Sequence, residues 1–153
     1  MKAATDGFRR LALAAVVLAA VVGAGCRTAA PARINPVVYF EIPVADMPRA
    51  MRFYTAVFGF ALERERIDGY EMARFPRTDG APGASGALAK GDVYKPSMSG
   101  PIVYFAVDDI EETFRRAEAH GGRRLYPKTA VGGQFVGEIA DSEGNRIALN
   151  ADR

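Results

Sequence analysis

The feature that most constrains the fold of this chain is an internal repeat. A β-branched and aromatic run at 37–44 is followed by a helix-like pattern and three more extended runs, and a similar run at 102–107 starts the same order again. A single βαβββ unit cannot bury both faces of its sheet, so two units are expected to associate. The repeat predicts an α+β fold for residues 36–151, in which two βαβββ modules, at about 36–92 and 100–151, form a curved, cupped mixed sheet.

Both predicted helices carry signals at their ends. Asp46 is a predicted N-cap, Pro48 falls in the first turn, and Gly59 provides the C-terminal stop. In the second module, residues 108–109 take the capping position and residues 121–122 end the helix. The other runs predicted as strands are 60–67, 70–75 and 85–90 in the first module and 123–126, 134–141 and 145–150 in the second.

The start of the chain has the pattern of an export signal. Lys2, Arg9 and Arg10 precede an uncharged run at 11–22, which is shorter than the roughly 20 apolar residues of a membrane-spanning helix. Small residues then lead to Cys26, and this arrangement resembles the lipobox of bacterial lipoproteins, in which the cysteine is lipidated.

This resemblance implies a signal peptide over 1–25, lipid attachment at Cys26 and a tether over 26–35. The protein would then be exported to the periplasm or cell envelope, with the membrane as a partner through its lipid anchor. Lipidation would also account for a single cysteine, since an unpaired thiol is unusual in an oxidising compartment. The alternative is ordinary cleavage near Cys26 without a lipid.

The charge distribution argues against nucleic acid as a partner. The chain has 20 Lys and Arg against 18 Asp and Glu, and the net charge of +2 lies in the leader, where Lys2, Arg9 and Arg10 outnumber Asp6. The rest of the chain is balanced and lacks a Lys/Arg stripe. The single Cys excludes an internal disulfide and a cysteine zinc site, so metal chemistry would depend on carboxylates.

Two longer segments resemble the signatures of a known superfamily. Residues 44–60 resemble the pattern V-x-D-x-x-R-A-x-x-F-Y-x-x-V-F-G-F, and residues 141–147 resemble D-P-E-G-N-x-I. These patterns are typical of the vicinal oxygen chelate superfamily, the glyoxalase, bleomycin-resistance and ring-cleaving dioxygenase group, whose domains are paired βαβββ modules. With matches at 107–110 and 119–122, the resemblance covers nearly all of 36–150. The branch it resembles most contains small bacterial proteins related to lactoylglutathione lyase.

The resemblance also implies where a divalent metal ion would bind. Metal-dependent members hold one ion with His, Glu or Gln side chains from the first and last strands of each module. The corresponding positions here are Tyr39, Ile102 (or Tyr104 if the repeats are aligned on their aromatic residues), Ala148 and the strand at 86–89. None is a usual ligand, and a catalytic ion needs about three protein ligands. We therefore expect no metal cofactor and an apolar or aromatic-walled cup; Ni, Zn, Mn or Fe would be expected only under a different alignment.

Two polar residues are candidates for the same cup. Strand alternation places Glu41 on the face of Tyr39, where its carboxylate is a candidate general base. The alternative is that Glu41 is solvated near the strand end or paired with an arginine such as Arg74 or Arg146. Asn150 shares the face of Ala148 and is a candidate hydrogen-bonding group for a ligand, with solvent exposure as its alternative.

The sequence leaves three functional classes open. The preferred one is an exported, lipid-anchored protein that binds a small organic molecule in a cup without metal ligands. The second is an enzyme, either a metal-free lyase or isomerase with Glu41 as the base, or a metal-dependent lyase, isomerase or dioxygenase whose ligands lie elsewhere. The third is an accessory envelope protein without a small ligand. For the preferred function, a second copy of the chain is the expected protein partner, because exposed strand edges such as 37–43 favour pairing.

Overall fold

Two four-stranded sheets form the part of the chain that the computed structural model describes, residues 35–152. In each module the first strand lies parallel to the last, and the remaining pairs are antiparallel. The sheet orders are β1-β4-β3-β2 and β5-β8-β7-β6. The elements are β1 (Tyr39–Pro43), α1 (Met47–Phe58), β2 (Glu63–Ile67), β3 (Tyr70–Arg74), β4 (Ser85–Lys90), β5 (Val103–Ala106), α2 (Ile110–Ala119), β6 (Arg123–Val131), β7 (Gln134–Ala140) and β8 (Arg146–Ala151).

This architecture confirms the predicted α+β fold of two βαβββ modules. The predicted signal peptide, Cys26 and most of the predicted tether lie outside the described residues. Within residues 35–152, no helix combines the length and apolar character needed to cross a membrane.

Both helices begin and end as their sequences predict, to within two residues. The side chain of Asp46 accepts a 2.9 Å hydrogen bond from the Arg49 backbone N–H, and Gly59 ends α1 with a φ of 74°. At the start of α2, the Asp109 side chain accepts hydrogen bonds from the backbone N–H groups of Glu111 and Glu112. One face of each helix is apolar and buried, which directs it onto its own sheet.

The two modules share one hydrophobic core. In this core α1 and α2 contact each other, and each helix also packs on strands of its own module. Aromatic rings fill the junction, with the Phe105 ring lying 5.0–6.1 Å from the rings of its aromatic neighbours. Those neighbours are Phe40, Tyr54, Phe58, Phe60 and Phe75.

Three strands differ from the prediction by three or more residues, and one of them is β1, which covers 39–43 rather than 37–44. β2 begins at Glu63 rather than at residue 60, because Phe60 and Leu62 pack against the core before the strand pairing starts. β6 continues to Val131 rather than ending at residue 126. The pairing of β6 with β7 shifts register around Pro127, which has no backbone N–H to donate, and resumes beyond it.

Candidate ligand-binding site

Each sheet has one face covered by its helix and an opposite face that we call the open face. In β1, alternation directs Phe40 and Ile42 into the core, whereas Tyr39 and Glu41 point to the open face. Tyr39 is 46% exposed. The first sheet therefore presents a phenol and a carboxylate on adjacent positions of one face, as the strand pattern predicts.

Glu41 is hydrogen-bonded by a tyrosine from the segment that links the modules. The Tyr94 hydroxyl donates a 2.7 Å hydrogen bond to Oε2 of Glu41, and its ring packs edge-on against Tyr70 with centroids 5.3 Å apart. The two arginines suggested by the sequence have other partners: Arg74 pairs with Glu65 and Arg146 with Glu138. The Tyr94 contact was missed because the linking segment has no periodicity from which a contact could be predicted.

The carboxylates on the open face of the first sheet alter the acidity of nearby phenols. The hydrogen bond to Glu41, together with partial burial and the negative charge, raises the pKa of Tyr94 to about 12. Burial is the largest cause of the raised pKa of Tyr39, and the charges of Glu41 and Glu65 act in the same direction, against Arg74. Both phenols are therefore protonated, and able to donate hydrogen bonds, at neutral pH.

The open face of the second sheet carries the other predicted site residues. Tyr104 is 57% exposed and lies directly beside the buried Ala148 across the β5–β8 pair, while Ile102 immediately precedes β5. Asn150 donates a 3.1 Å hydrogen bond from Nδ2 to Oε1 of Gln134. At the centre of this face, the positive charge of Arg146 is balanced by the Glu138 carboxylate, to which it donates two 2.8 Å hydrogen bonds.

The predicted residues line three different clefts. Tyr39 lines a cleft of about 480 Å³ together with Arg74 and Arg77, and Asn150 lines one of about 360 Å³ near the start of α2. Glu41 lines a third cleft of about 350 Å³ between the two modules. The described chain thus brings Tyr39 and Glu41 onto one sheet and Tyr104, Ala148 and Asn150 onto the other, without joining the two sets in one cleft.

The side chains at the implied metal positions do not form a donor set for a divalent ion. Tyr39 lies beside Ser85, and Tyr104 lies beside Ala148. In β4, Ala87 lies on the side opposite the helix but is buried in a small cluster under Tyr70 and Tyr94, whereas Leu88 is in the main core. Across residues 35–152, no group of three or more His, Cys, Asp or Glu side chains is placed to hold an ion. No step of a mechanism is therefore assigned to a metal.

Comparison with known proteins assigns the family. The model of the glyoxalase/bleomycin resistance protein/dioxygenase superfamily matches residues 33–149, which is most of the chain. The chain belongs to this superfamily. A glyoxylase-like domain-containing protein of Didymella fabae is 31% identical over 118 residues, covering 71% of this chain and 88% of the relative.

Solved members of the superfamily share the fold. A family enzyme from Burkholderia phytofirmans aligns with a TM-score of 0.59 at 18% identity, over 75% of this chain and 97% of that one. Glyoxalase I from Zea mays aligns with a TM-score of 0.56 at 17% identity, over 76% of this chain. The present chain spans 46% of the maize protein, and identities in this range establish a shared fold only.

The two superfamily signature segments contact each other across the modules. The Glu143 carboxylate accepts hydrogen bonds from the backbone N–H groups of Ala45 and Asp46 and from the Arg49 guanidinium, at 2.7–3.0 Å. Asn145 donates from Nδ2 to the Pro43 carbonyl at 2.8 Å. These signature residues join the modules by linking the end of β1 to the turn before β8. They influence the open faces only through the placement of these two strands.

Proposed function

We propose that this superfamily member is an exported protein that binds a small organic molecule on the open faces of its sheets without using a metal ion. The observation that carries the proposal is the residue type at the first-strand position of each module. Tyr39 is the residue at this position in the first module, and Ile102 or, with the repeats aligned on their aromatic residues, Tyr104 is the residue in the second. The two tyrosines are exposed, 46% and 57% accessible. Exposed rings with a nearby carboxylate, Glu41, suit an organic ligand better than an ion.

The proposed site is completed by a second copy of the chain. β1 and β5 each hydrogen-bond to a single neighbouring strand in the described chain. Val37 and Val38, just before β1, are also more than half exposed. Two copies that pair through this exposed segment before β1 would cover apolar surface and bring Tyr39 of each protomer close to the other. Sedimentation at micromolar concentration tests this, and a monomeric mass would contradict it.

Export and lipid anchoring are proposed from the leader. The basic start, the apolar run at 11–22 and the small residues before Cys26 support this part of the proposal. Expression in a bacterial host that processes lipoproteins should give a membrane-associated product whose N-terminal peptide carries acyl chains by mass spectrometry. Cys26→Ser should release the protein from the membrane fraction, whereas an unlipidated wild-type peptide would limit the proposal to export.

A neutral aromatic fluorophore, phenylnaphthylamine, tests the open-face site. We expect its fluorescence to rise on binding, and we expect Tyr39→Ala and Tyr104→Ala each to weaken binding. His120→Ala is a matched control, since His120 lies at the end of α2 outside both open faces. Elemental analysis and thermal melting with and without EDTA complete the test. One equivalent of metal, or a Tm that falls in EDTA, would contradict a metal-free site.

An enzyme that uses Glu41 as a base is the second candidate. It is favoured by the geometry of that carboxylate, which is exposed and has one oxygen, Oε2, held by Tyr94. Glu41→Gln separates the two candidates once a ligand is identified. A binding protein keeps its ligand, whereas an acid–base enzyme keeps binding and loses turnover.

A further inference from the structure

The cleft between the two modules lies apart from the centres of the open faces. We call it the intermodule cleft. It is bounded on one side by the edges of the two sheets and on the other by a linking segment, residues 95–101, that we call the strap. Phe40, Ile42 and Val103 lie at its floor, and Glu41, Lys95 and Arg146 lie at its rim.

The floor of the intermodule cleft is apolar. Ile42 and Ile147 belong to the hydrophobic core, and Phe40 and Val103 pack against that core while remaining partly accessible. The volume of about 350 Å³ lies at the lower end of the range for small-ligand sites. A floor of this kind accepts a flat or branched hydrocarbon body of modest size.

The rim of the cleft carries one cation, the Lys95 ammonium, that has no carboxylate partner among the described residues. Lys95 and Arg146 contribute positive charges, and Glu41 is the one carboxylate among the lining residues. Oε2 of Glu41 is already engaged by the Tyr94 hydroxyl, and Arg146 is paired with Glu138 outside the cleft. Lys95 forms no ion pair with the described residues of the chain, so its ammonium is available to a ligand.

Hydrogen bonds hold the strap in place above the floor. The Ser97 backbone N–H donates to Oδ1 of Asn145 at 3.0 Å, and the Ser99 backbone N–H donates to the Ser97 hydroxyl at 3.0 Å. Asn145 is itself buried and also donates to the Pro43 carbonyl. The cation-bearing strap is therefore preorganised by both modules, which lowers the entropic cost of binding a ligand.

We propose that the intermodule cleft is a binding site for a small monoanionic organic acid. The hydrocarbon body of the acid would lie on Phe40, Ile42 and Val103, and its carboxylate would accept hydrogen bonds from the Lys95 ammonium at the rim. This site borders the open-face site at Glu41, but its apolar floor is formed by core-facing side chains that the open-face site does not use.

Three probes of similar shape and different charge test the proposal: 2-naphthoate, the neutral 2-naphthamide and the cationic 2-naphthylmethylammonium. By calorimetry, the full protein should bind 2-naphthoate most tightly. Lys95→Gln should weaken the binding of 2-naphthoate by about tenfold, as expected for loss of one charge-assisted hydrogen bond. The Kd for 2-naphthamide should stay unchanged. Lys128→Gln is the matched control, because Lys128 lies over the Phe135 ring on another part of the second module.

The outcomes that overturn the proposal are distinct from a failure of the open-face site. Equal affinity for the three probes, undetectable 2-naphthoate binding, or an unchanged Kd in Lys95→Gln would each overturn it. Saturating phenylnaphthylamine should leave the 2-naphthoate Kd unaltered. Competition between the two compounds would place the acid on the open face and also overturn the proposal.

Discussion

The hydroxyl of Tyr54 donates a 2.8 Å hydrogen bond to Oδ2 of Asp141, and both side chains are buried. The bond joins helix α1 of the first module to the turn before β8 of the second. Burial raises the pKa of Asp141, although hydrogen bonds from Asn145 and Tyr54 act in the opposite direction. The two signature segments are therefore coupled through a buried polar contact.

Removing the Tyr54 hydroxyl should destabilise the fold. Tyr54→Phe leaves the packing in place but removes one partner of a buried carboxyl, at a cost of about 1–2 kcal/mol in unfolding free energy. Urea denaturation followed by circular dichroism measures the loss. Tyr104→Phe, at an exposed phenol, is the control and should stay within ~0.5 kcal/mol of wild type. Equal losses in the two variants would contradict a structural role for the Tyr54–Asp141 bond.

Removing the Glu143 carboxylate should have a larger effect. Its side chain has no exposed surface, and it accepts hydrogen bonds from two backbone N–H groups at the start of α1 and from Arg49. We expect Glu143→Ala to lower the unfolding free energy by about 2–3 kcal/mol, because these donors lose a charged partner. Glu112→Ala, which breaks a surface ion pair with Arg116, should cost about 0.5 kcal/mol. Similar losses of unfolding free energy in Glu143→Ala and Glu112→Ala would contradict a structural role for the Glu143 hydrogen bonds.

Protonation of Glu143 should also contribute to the loss of folding stability at acid pH. Burial raises its pKa, but the hydrogen bonds from Arg49, Asp46 and Ala45 outweigh burial and bring the pKa below the ordinary 4.5. Its contribution to stability is therefore complete above pH 4.5 and is lost as pH falls through the lower folded value. Thermal melts from pH 6 to pH 3 should show a steeper decline in Tm for wild type than for Glu143→Gln. Parallel declines would refute this assignment.

The Tyr94 phenol should titrate at a higher pH than an ordinary tyrosine. Its pKa is raised to about 12, with the Glu41 hydrogen bond as the largest cause. Its contribution to stability is thus complete below pH 10 and is lost as pH rises toward 12. The absorbance difference between wild type and Tyr94→Phe at 295 nm should titrate near 12, and the same difference measured in a Glu41→Gln background should titrate closer to 10. An unchanged midpoint in that background would mean that Glu41 does not hold the phenol.

Gly86 should tolerate no side chain. A Cβ at this position in β4 would overlap the carbonyl oxygen of Phe40 in the neighbouring β1. Gly86→Ala should therefore cost about 2–3 kcal/mol, since the backbone of β1 has to move. Gly80→Ala, which meets open space but keeps a φ of 76°, should cost about 1 kcal/mol. A Gly86→Ala variant as stable as Gly80→Ala would show that the strands separate easily.

Much of the fold could be predicted because its signals are local. The capping residue Asp46 and the stop at Gly59 define α1, and period-two alternation correctly separates Phe40 and Ile42 from Tyr39 and Glu41. The βαβββ repeat predicts two modules for the same reason, since each copy carries its own caps, turns and apolar faces. The superfamily resemblance followed from two short signature segments that can be read in the sequence, although their side chains meet only across the modules.

What the sequence determined by itself is the set of elements, the inward and outward face of each strand, and the side chains available at the ligand positions. Only the tertiary structure decided which of these side chains meet. Tyr94 reaches Glu41 from 53 residues away, and Lys95 comes to the rim of a cleft whose floor belongs to both modules. Such contacts depend on how the modules pack and where the strap crosses them, and local periodicity carries no information about either.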